Sequence, residues 1–228
     1  MNFIELKSGL SVEGAKIKAY KSDVEGAGYF YLMAGVHGDE VEGVYVLQQL
    51  FEWLKKQDIE LPMIVIPIQN VDGYRAGTRV NSNGVDLNRN FPTKSWSPVV
   101  RAAKYHPGTH ALSEPENIYL LSLFKKYAPR LIFSLHSWKP MINYNGACKD
   151  IAELLAAHNH YITCDDIEGH PTPGSLGDYG PQEMNCPVLT FECPLLESGL
   201  GLNEIWEENR AGMQAMMVSD ILKKHILN

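Results

Sequence analysis

The chain has 228 residues, of which 45% are hydrophobic and 21% are charged, a composition typical of one globular domain with a buried core. Its net charge of −7 gives it no electrostatic reason to bind nucleic acid or an anionic membrane. The longest apolar runs are too short to span a bilayer.

Strands and helices are predicted to alternate, which favours a mainly parallel sheet with helices on both faces. The amino-terminal half predicts a strand over residues 28–35, a helix over 39–56 and a strand over 63–69. Pro67 in the last of these suggests a sheet edge or an irregular strand end. Residues 70–112 are rich in Asn, Gly, Pro and Asp and predict a long loop, a kind that is usually functional.

The carboxy-terminal half continues this alternation. Ser113 and Glu116 have capping-box spacing and predict a helix from Ser113 to about residue 127. The other predicted elements are strands over 131–136 and 187–192, helices over 148–159 and 203–225, and a Gly- and Pro-rich loop over 165–186. We therefore predict one three-layer α/β/α domain over residues 1–228, with a mixed, mainly parallel central sheet.

Three predicted strands lead directly into side chains that suit metal chemistry. His37 and Glu40 follow one strand, His136 ends a second and Glu192 ends a third. In an open α/β sheet, ligands bind in the crevice beyond the carboxyl ends of the strands. Two histidines and a carboxylate form a ligand set for a catalytic zinc ion, which keeps a fourth position for water. Glu192 would then be the base that takes a proton from that water.

Each of these residues also has a simpler interpretation. Asp39 and Glu40 are acids at a predicted helix start, where they favour the helix dipole, and His37 alone is an ordinary surface residue. His136 alone is equally compatible with a core histidine bonded to backbone groups. Glu192 is hardest to explain in this way, because burying an unpaired carboxylate is costly; the alternative is an ion pair with an arginine.

The segment Asp86-Leu-Asn-Arg-Asn90 in the long loop carries groups that suit a substrate carboxylate. Asn88 supplies an amide, and Arg89 supplies a planar guanidinium that matches a carboxylate bidentately. Asp86 would orient His37 by accepting its second ring N–H. The alternative is Asx-turn chemistry around Asn83, which leaves Arg89 unexplained.

Together these segments resemble the zinc carboxypeptidase family over residues 28–194. The matching motifs are His37-Gly-Asp-Glu40, Gly84-Val-Asp-Leu-Asn-Arg-Asn-Phe91, Ser113-Glu-Pro-Glu116, His136-Ser137 and Thr190-Phe-Glu192. Several ordered motifs make a specific match where each alone would not. The resemblance implies a carboxypeptidase-like fold and one zinc ion held by His37, Glu40 and His136.

The resemblance also implies roles for the remaining residues of the site. Glu192 is expected to be the general base, and Asn88 and Arg89 are expected to hold the free carboxylate of a peptide substrate. Arg79 is similar to the arginine that polarises the scissile carbonyl, and Arg75 is the competing candidate. Digestive relatives carry a mobile tyrosine in the loop before the base; Tyr179 is the nearby tyrosine here, and we assign it no catalytic role.

Within this family the chain most resembles the short bacterial murein peptide amidases, which cut the γ-D-glutamyl–diaminopimelate bond. The likeness rests on Asn81-Ser-Asn-Gly-Val-Asp-Leu-Asn-Arg-Asn-Phe-Pro92, Ser113-Glu-Pro-Glu116 and Thr172-Pro-Gly-Ser-Leu-Gly177. It implies a small murein tripeptide as the substrate. Asp178 would complement the distal ammonium of diaminopimelate, or would only cap its own turn.

Other functions share parts of this pattern. The aspartoacylase and succinylglutamate desuccinylase group has similar His-Gly-Asx-Glu and Asp-x-Asn-Arg patterns and would cleave an N-acyl amino acid. A general metallocarboxypeptidase would lack the preference for diaminopimelate. A catalytically dead binding module is disfavoured, because the base and all the metal ligands are present.

Four cysteines without paired spacing, and an amino terminus without a signal-peptide pattern, favour a cytoplasmic bacterial protein with reduced thiols. A periplasmic form whose leader had been removed would carry the same sequence.

Overall fold

The computed structural model describes residues 1–166 and 170–227. In chain order the elements are β1 (Phe3–Glu5), β2 (Gly9–Leu10), β3 (Lys16–Ile17), β4 (Tyr20–Ser22), β5 (Tyr29–Ala34), α1 (Val41–Leu54), β6 (Met63–Ile66), α2 (Val71–Ala76), α3 (Pro115–Lys126), β7 (Pro129–Trp138), β8 (Met141–Asn145), α4 (Lys149–Asn159), β9 (Ile162–Cys164), α5 (Leu176–Met184), β10 (Val188–Pro194), α6 (Leu202–Val218) and α7 (Asp220–Leu227). Short 3-10 helices form at Leu87–Arg89, Ala103–Tyr105 and Leu196–Ser198.

Among the described residues, eight strands form one sheet in the order β1-β4-β6-β5-β7-β10-β8-β9. Its centre is parallel, because β5 pairs with β6 and β7, and β7 pairs with β10. Antiparallel pairs flank this centre, with β4 against β6 and β8 against β10. The predicted fold class, a mixed and mainly parallel sheet, is confirmed.

The central strands are buried on both faces by helices. Consecutive residues of a strand point to opposite faces, so Phe30 and Leu32 join the core beneath α1, α4 and α6, whereas Tyr31 and Met33 join the core beneath α3. This double burial explains why β5 is an unbroken apolar run without alternation. No helix in the described part of the chain has the length and apolar content needed to cross a membrane.

Three boundaries that differ from the sequence predictions have a clear cause in the structure. The Ser113–Glu116 capping box is wrong: α3 begins at Pro115, and the Glu116 carboxylate accepts hydrogen bonds from Val12 N and Asn81 Nδ2. The closing helix is divided at Ser219, which has an extended backbone and caps α7 by accepting a hydrogen bond from Leu222 N.

The third difference concerns Pro67. The strand β6 ends at Ile66 and lies between β4 and β5, so the irregular-end interpretation is correct and the sheet-edge interpretation is wrong. The proline has no N–H to continue the ladder, and the chain leaves the sheet there.

Both predicted loops contain short helices whose caps the periodicity did not indicate. Within residues 70–112, α2 begins where Asn70 Oδ1 accepts a hydrogen bond from Gly73 N. Within residues 165–186, α5 begins where Ser175 Oγ accepts one from Asp178 N. Residues 167–169 of that loop lie outside the described residues. The unpredicted strands β1 to β4, β8 and β9 have two to five residues each, too few for a clear period.

Candidate active site

Three neighbouring strands bring the predicted metal ligands and the predicted base to one edge of the sheet. Glu192 on β10 lies directly opposite His136 on β7 in the parallel register. The last residue of β5, Ala34, pairs with Leu135, so His37 emerges beside His136. Both β7 and β10 continue two residues beyond these side chains, to Trp138 and Pro194, so His136 and Glu192 lie within the ladder and not at the ends of their strands.

The chain from His37 to Glu40 passes close to α2. A Cβ atom added at Gly38 would lie 2.1 Å from the carbonyl carbon of Gly73, so only glycine permits this approach. The tight turn brings the side chains of His37 and Glu40 to the same side of the backbone. The helix α1 then begins at Val41.

Ligand atoms of His37, Glu40 and His136 converge within 4.8 Å of one another. Glu40 Oε1 lies 2.6 Å from His37 Nδ1, and Glu40 Oε2 lies 2.8 Å from His136 Nδ1. The two Nδ1 atoms are 3.2 Å apart. Two imidazole nitrogens and a carboxylate in such a compact, buried group match the ligands of a divalent transition metal. These residues therefore fit a metal ion.

Asp86 fixes the ring of His37. Its Oδ1 lies 3.1 Å from His37 Nε2, so a proton on Nε2 leaves Nδ1 free as a ligand. Arg79 donates to Asp86 Oδ2 from Nε and Nη2, at 3.1 and 3.0 Å. Although burial alone would raise the pKa of Asp86, the charges of His37 and Arg79 outweigh it and hold that pKa well below its ordinary value.

Arg79 also contacts a predicted metal ligand, since its Nη1 donates to Glu40 Oε1 at 3.3 Å. Arg75, the competing candidate, is exposed on α2. A guanidinium beside the metal ligands can stabilise negative charge that develops on a carbonyl oxygen. The geometry therefore favours Arg79 for this role.

One oxygen of the Glu192 carboxylate lacks a hydrogen-bond partner among the described residues. That atom is Oε2, which is buried. Burial, reinforced by the charge of Glu40, raises the pKa of Glu192 to about 7, against an opposing effect of His136. A carboxyl group with such a pKa, beside a metal ligand, is suited to proton transfer near neutral pH.

A cavity of about 470 Å³ opens beside Glu192 and is large enough for a small peptide. Asn88 lines this cavity, and its Oδ1 accepts a hydrogen bond from Leu176 N. The NH₂ end of the same amide therefore points away from Leu176 N. Arg89 lines an adjoining cavity of about 230 Å³ and forms no ion pair within the described residues. Arg101 lines both cavities.

Asp178 lies on the wall of the larger cavity, where Ser95 Oγ donates to its carboxylate at 2.5 Å. Its side chain does not cap α5, because Ser175 performs that function, so the self-capping alternative is wrong. Tyr179 packs its ring on Phe91 in the hydrophobic core, with ring centres 5.6 Å apart.

Sequence reasoning missed several side chains of this site. Arg101 and Asn143 line the large cavity, and Tyr105 lines the small one. Arg101 lies on a loop, Asn143 on β8 and Tyr105 on a 3-10 helix, all outside every motif. Only the fold brings them to these two cavities, so no spacing in the sequence could have indicated them.

A compact metal-ligand set beside a buried carboxylate, on a fold of this type, is the arrangement found in metal-dependent hydrolases. The family model described as the succinylglutamate desuccinylase/aspartoacylase catalytic domain matches residues 28–112. A murein peptide amidase A of Vibrio campbellii is 31% identical over 211 residues, which cover 86% of this chain and 82% of that protein.

Two solved structures have a similar fold. The murein-tripeptide amidase of Escherichia coli O157 has a TM-score of 0.77 and 26% identity, over 93% of this chain and 92% of that one. Carboxypeptidase A of Helicoverpa armigera has a TM-score of 0.76 and 19% identity, over 96% of this chain and 69% of that one. The chain belongs to the zinc carboxypeptidase-like family, near the murein peptide amidases.

Proposed function

We propose that this hydrolase is a zinc-dependent amidase that cleaves the γ-D-glutamyl–meso-diaminopimelate bond of murein peptides. The observation that carries the proposal is the buried Glu192 carboxylate between the metal-ligand set and a cavity that also contains Asp178. The similarity to murein peptide amidases over most of the chain supports the substrate class.

His37, Glu40 and His136 would hold the zinc ion, which would supply Lewis-acid chemistry by lowering the pKa of water toward about 7 and polarising a carbonyl group. Glu192 takes the proton from the attacking water at its buried carboxylate and delivers it to the leaving amine. Arg79 stabilises the negative charge that develops on the carbonyl oxygen. Asp86 keeps His37 in the required tautomer.

Asn88 and Arg89 are proposed to bind the substrate carboxylate next to the scissile bond. Burial and the neighbouring charge of Arg79 lower the pKa of Arg89, and Asp86 opposes this effect. An arginine with no ion pair among the described residues, on the wall of a cavity that adjoins the Glu192 cavity, is suited to an anionic substrate group.

We expect Arg89→Ala to reduce kcat/KM on substrates with a free carboxylate, because each lost charge-assisted hydrogen bond costs about 1.5–3 kcal/mol. The same substitution should have a much smaller effect on carboxamide versions of those substrates. Steady-state kinetics on both series measures the difference, with the exposed Arg75→Ala as a charge-matched control. Equal losses on acid and amide would show that Arg89 does not bind the carboxylate.

Asp178 is proposed to bind the distal ammonium of diaminopimelate. Wild-type kcat/KM should be highest for L-Ala-γ-D-Glu-meso-diaminopimelate, lower for the lysine-ended analogue and lowest for the alanine-ended analogue. Asp178→Asn should narrow the gap between the two ammonium-bearing substrates and the alanine-ended analogue, since an amide retains the shape but loses the charge. If the wild-type enzyme cleaves all three with equal efficiency, the murein assignment fails and a general metallocarboxypeptidase remains.

A second candidate is an N-acyl amino acid hydrolase similar to aspartoacylase. The matched family model favours it over residues 28–112, which include His37, Glu40 and the Asp86–Arg89 motif. His136 and Glu192 lie outside that match. Turnover of an N-acyl amino acid panel without turnover of the murein tripeptide would favour this candidate.

The cytoplasm is the proposed compartment. All four cysteines lie within the described residues, and none forms a disulfide bond. Burial raises the pKa of Cys186 to about 12, which leaves its thiol unreactive. Fractionation of bacteria that express the native gene would test this location.

A further inference from the structure

The aromatic ring of Tyr105 lies against two guanidinium groups. The Arg79 Cζ atom is 5.2 Å from the ring centre, and the Arg89 Cζ atom is 5.5 Å from it. We infer that Tyr105 is a positioning residue that holds both arginines in their working orientations by cation–π contact. This inference rests on the proposed roles of Arg79 at the carbonyl oxygen and Arg89 at the substrate carboxylate.

The two arginines need such a contact for different reasons. Arg79 is already held by Asp86 and Glu40, so the ring only limits its remaining freedom. Arg89 has no carboxylate partner among the described residues, and its one side-chain hydrogen bond goes to the carbonyl oxygen of Asn88. A ring face attracts a cation without competing for the N–H groups that a substrate would use. Tyr105 can therefore orient Arg89 and leave its hydrogen-bonding edge available.

Tyr105 is itself fixed relative to the motif it serves. It ends the short 3-10 helix Ala103–Tyr105, and the next carbonyl oxygen, that of His106, accepts a hydrogen bond from Asp86 N at 2.8 Å. The carbonyl oxygen of Pro107 accepts one from Asn90 Nδ2, also at 2.8 Å. The segment is thus bonded to both ends of the Asp86–Asn90 motif, so the ring and the arginines form one unit.

The structure also explains why an aromatic residue is required at this position. Arg79, Arg89 and Arg101 bring three positive charges to one region, and the charges of Arg79 and Arg101 both oppose that of Arg89. A ring placed against two of these cations offsets part of their repulsion. An aliphatic side chain would fill the same space without attracting either cation.

The decisive comparison is Tyr105→Leu against Tyr105→Phe. Phenylalanine keeps the ring face, so we expect near wild-type kinetics, whereas leucine, which loses the cation–π contacts, should lower kcat/KM about tenfold. The loss should fall mainly on KM for the free-carboxylate substrate and should largely disappear for its carboxamide. Lys104→Ala removes a third cation, 5.0 Å from the same ring but outside the proposed substrate contacts, so it should leave the difference between the acid and carboxamide substrates unchanged.

A double-mutant cycle separates positioning from a merely structural role. In an Arg89→Ala background, Tyr105→Leu should lower kcat/KM much less than in the wild type, because the group through which Tyr105 acts is gone. An equal loss of kcat/KM in both backgrounds, or equal losses for Tyr105→Phe and Tyr105→Leu, would overturn the inference. If Tyr105→Leu does not fold by circular dichroism, Tyr105→Gln takes its place in the same cycle.

The cycle uses whichever free-carboxylate substrate the wild-type enzyme hydrolyses, the murein tripeptide or an N-acyl amino acid. Failure of the murein tripeptide as a substrate would refute the proposed function and leave the Tyr105 comparison intact. Success of the tripeptide with wild-type kinetics for Tyr105→Leu would refute only the role of Tyr105.

Discussion

Glu192→Gln is expected to keep the fold and the metal but to lower kcat by about two to four powers of ten. The amide has nearly the shape of the carboxylate but cannot accept a proton from the attacking water. Because Glu192 Oε2 has no hydrogen-bond partner within the described chain, the substitution removes no visible structural contact from that atom. Steady-state kinetics together with metal analysis on the same preparation measures both effects.

The matched control is Glu197→Gln, which neutralises an exposed carboxylate on the 3-10 helix Leu196–Ser198. That variant should retain wild-type kcat. A Glu192→Gln enzyme with nearly normal kcat would show that another group acts as the base. A variant without metal would instead mean that Glu192 helps to hold the ion.

His136→Ala is expected to weaken zinc binding by more than about a hundredfold. Loss of an outer partner of a metal ligand already costs about 10–100-fold in affinity, and loss of the ligand itself should cost more. The structure gives His136 Nδ1 contacts with both other ligands, Glu40 and His37. Elemental analysis of the purified variant and zinc titration of the metal-depleted protein measure this loss.

His158→Ala removes an exposed histidine from α4 and provides the comparison. It should bind zinc like the wild-type protein. Undiminished zinc occupancy in His136→Ala would eliminate the proposed ligand set, whatever its effect on activity.

The sequence was sufficient to predict the sheet that carries the site. The strands β5, β7 and β10 are buried on both faces, so each is a mainly apolar run, and their alternation with helices predicts a parallel sheet. A charged or titratable residue in or after such a run is easily recognised, as with His136 and Glu192. Their proximity follows from the fold and was predicted; their chemical roles stay predictions until the variants are measured.

The parts that could not be predicted depend on tertiary contacts. Ser113 and Glu116 have the spacing of a local cap, but Glu116 bonds to Val12 and Asn81, which are distant in sequence. Arg75 and Arg79 are indistinguishable as residue types; the folded chain separates them, because Arg79 bonds to Asp86 and Glu40 and Arg75 is exposed. Tyr105 belongs to no recognisable sequence motif, and its contacts with Arg79 and Arg89 are evident only from the distances in the folded structure.

The pairing of Glu192 with His136 across adjacent strands has a consequence for how this enzyme can change. Strands in a sheet are held about 4.8 Å apart by backbone hydrogen bonds, which no surface loop sets. The separation between proton acceptor and metal ligand is therefore built into the sheet, whereas Ser95, Arg101 and Asp178 lie outside it. Loops and short helices of the rim can be exchanged to admit a new leaving group while the reacting centre keeps its dimensions.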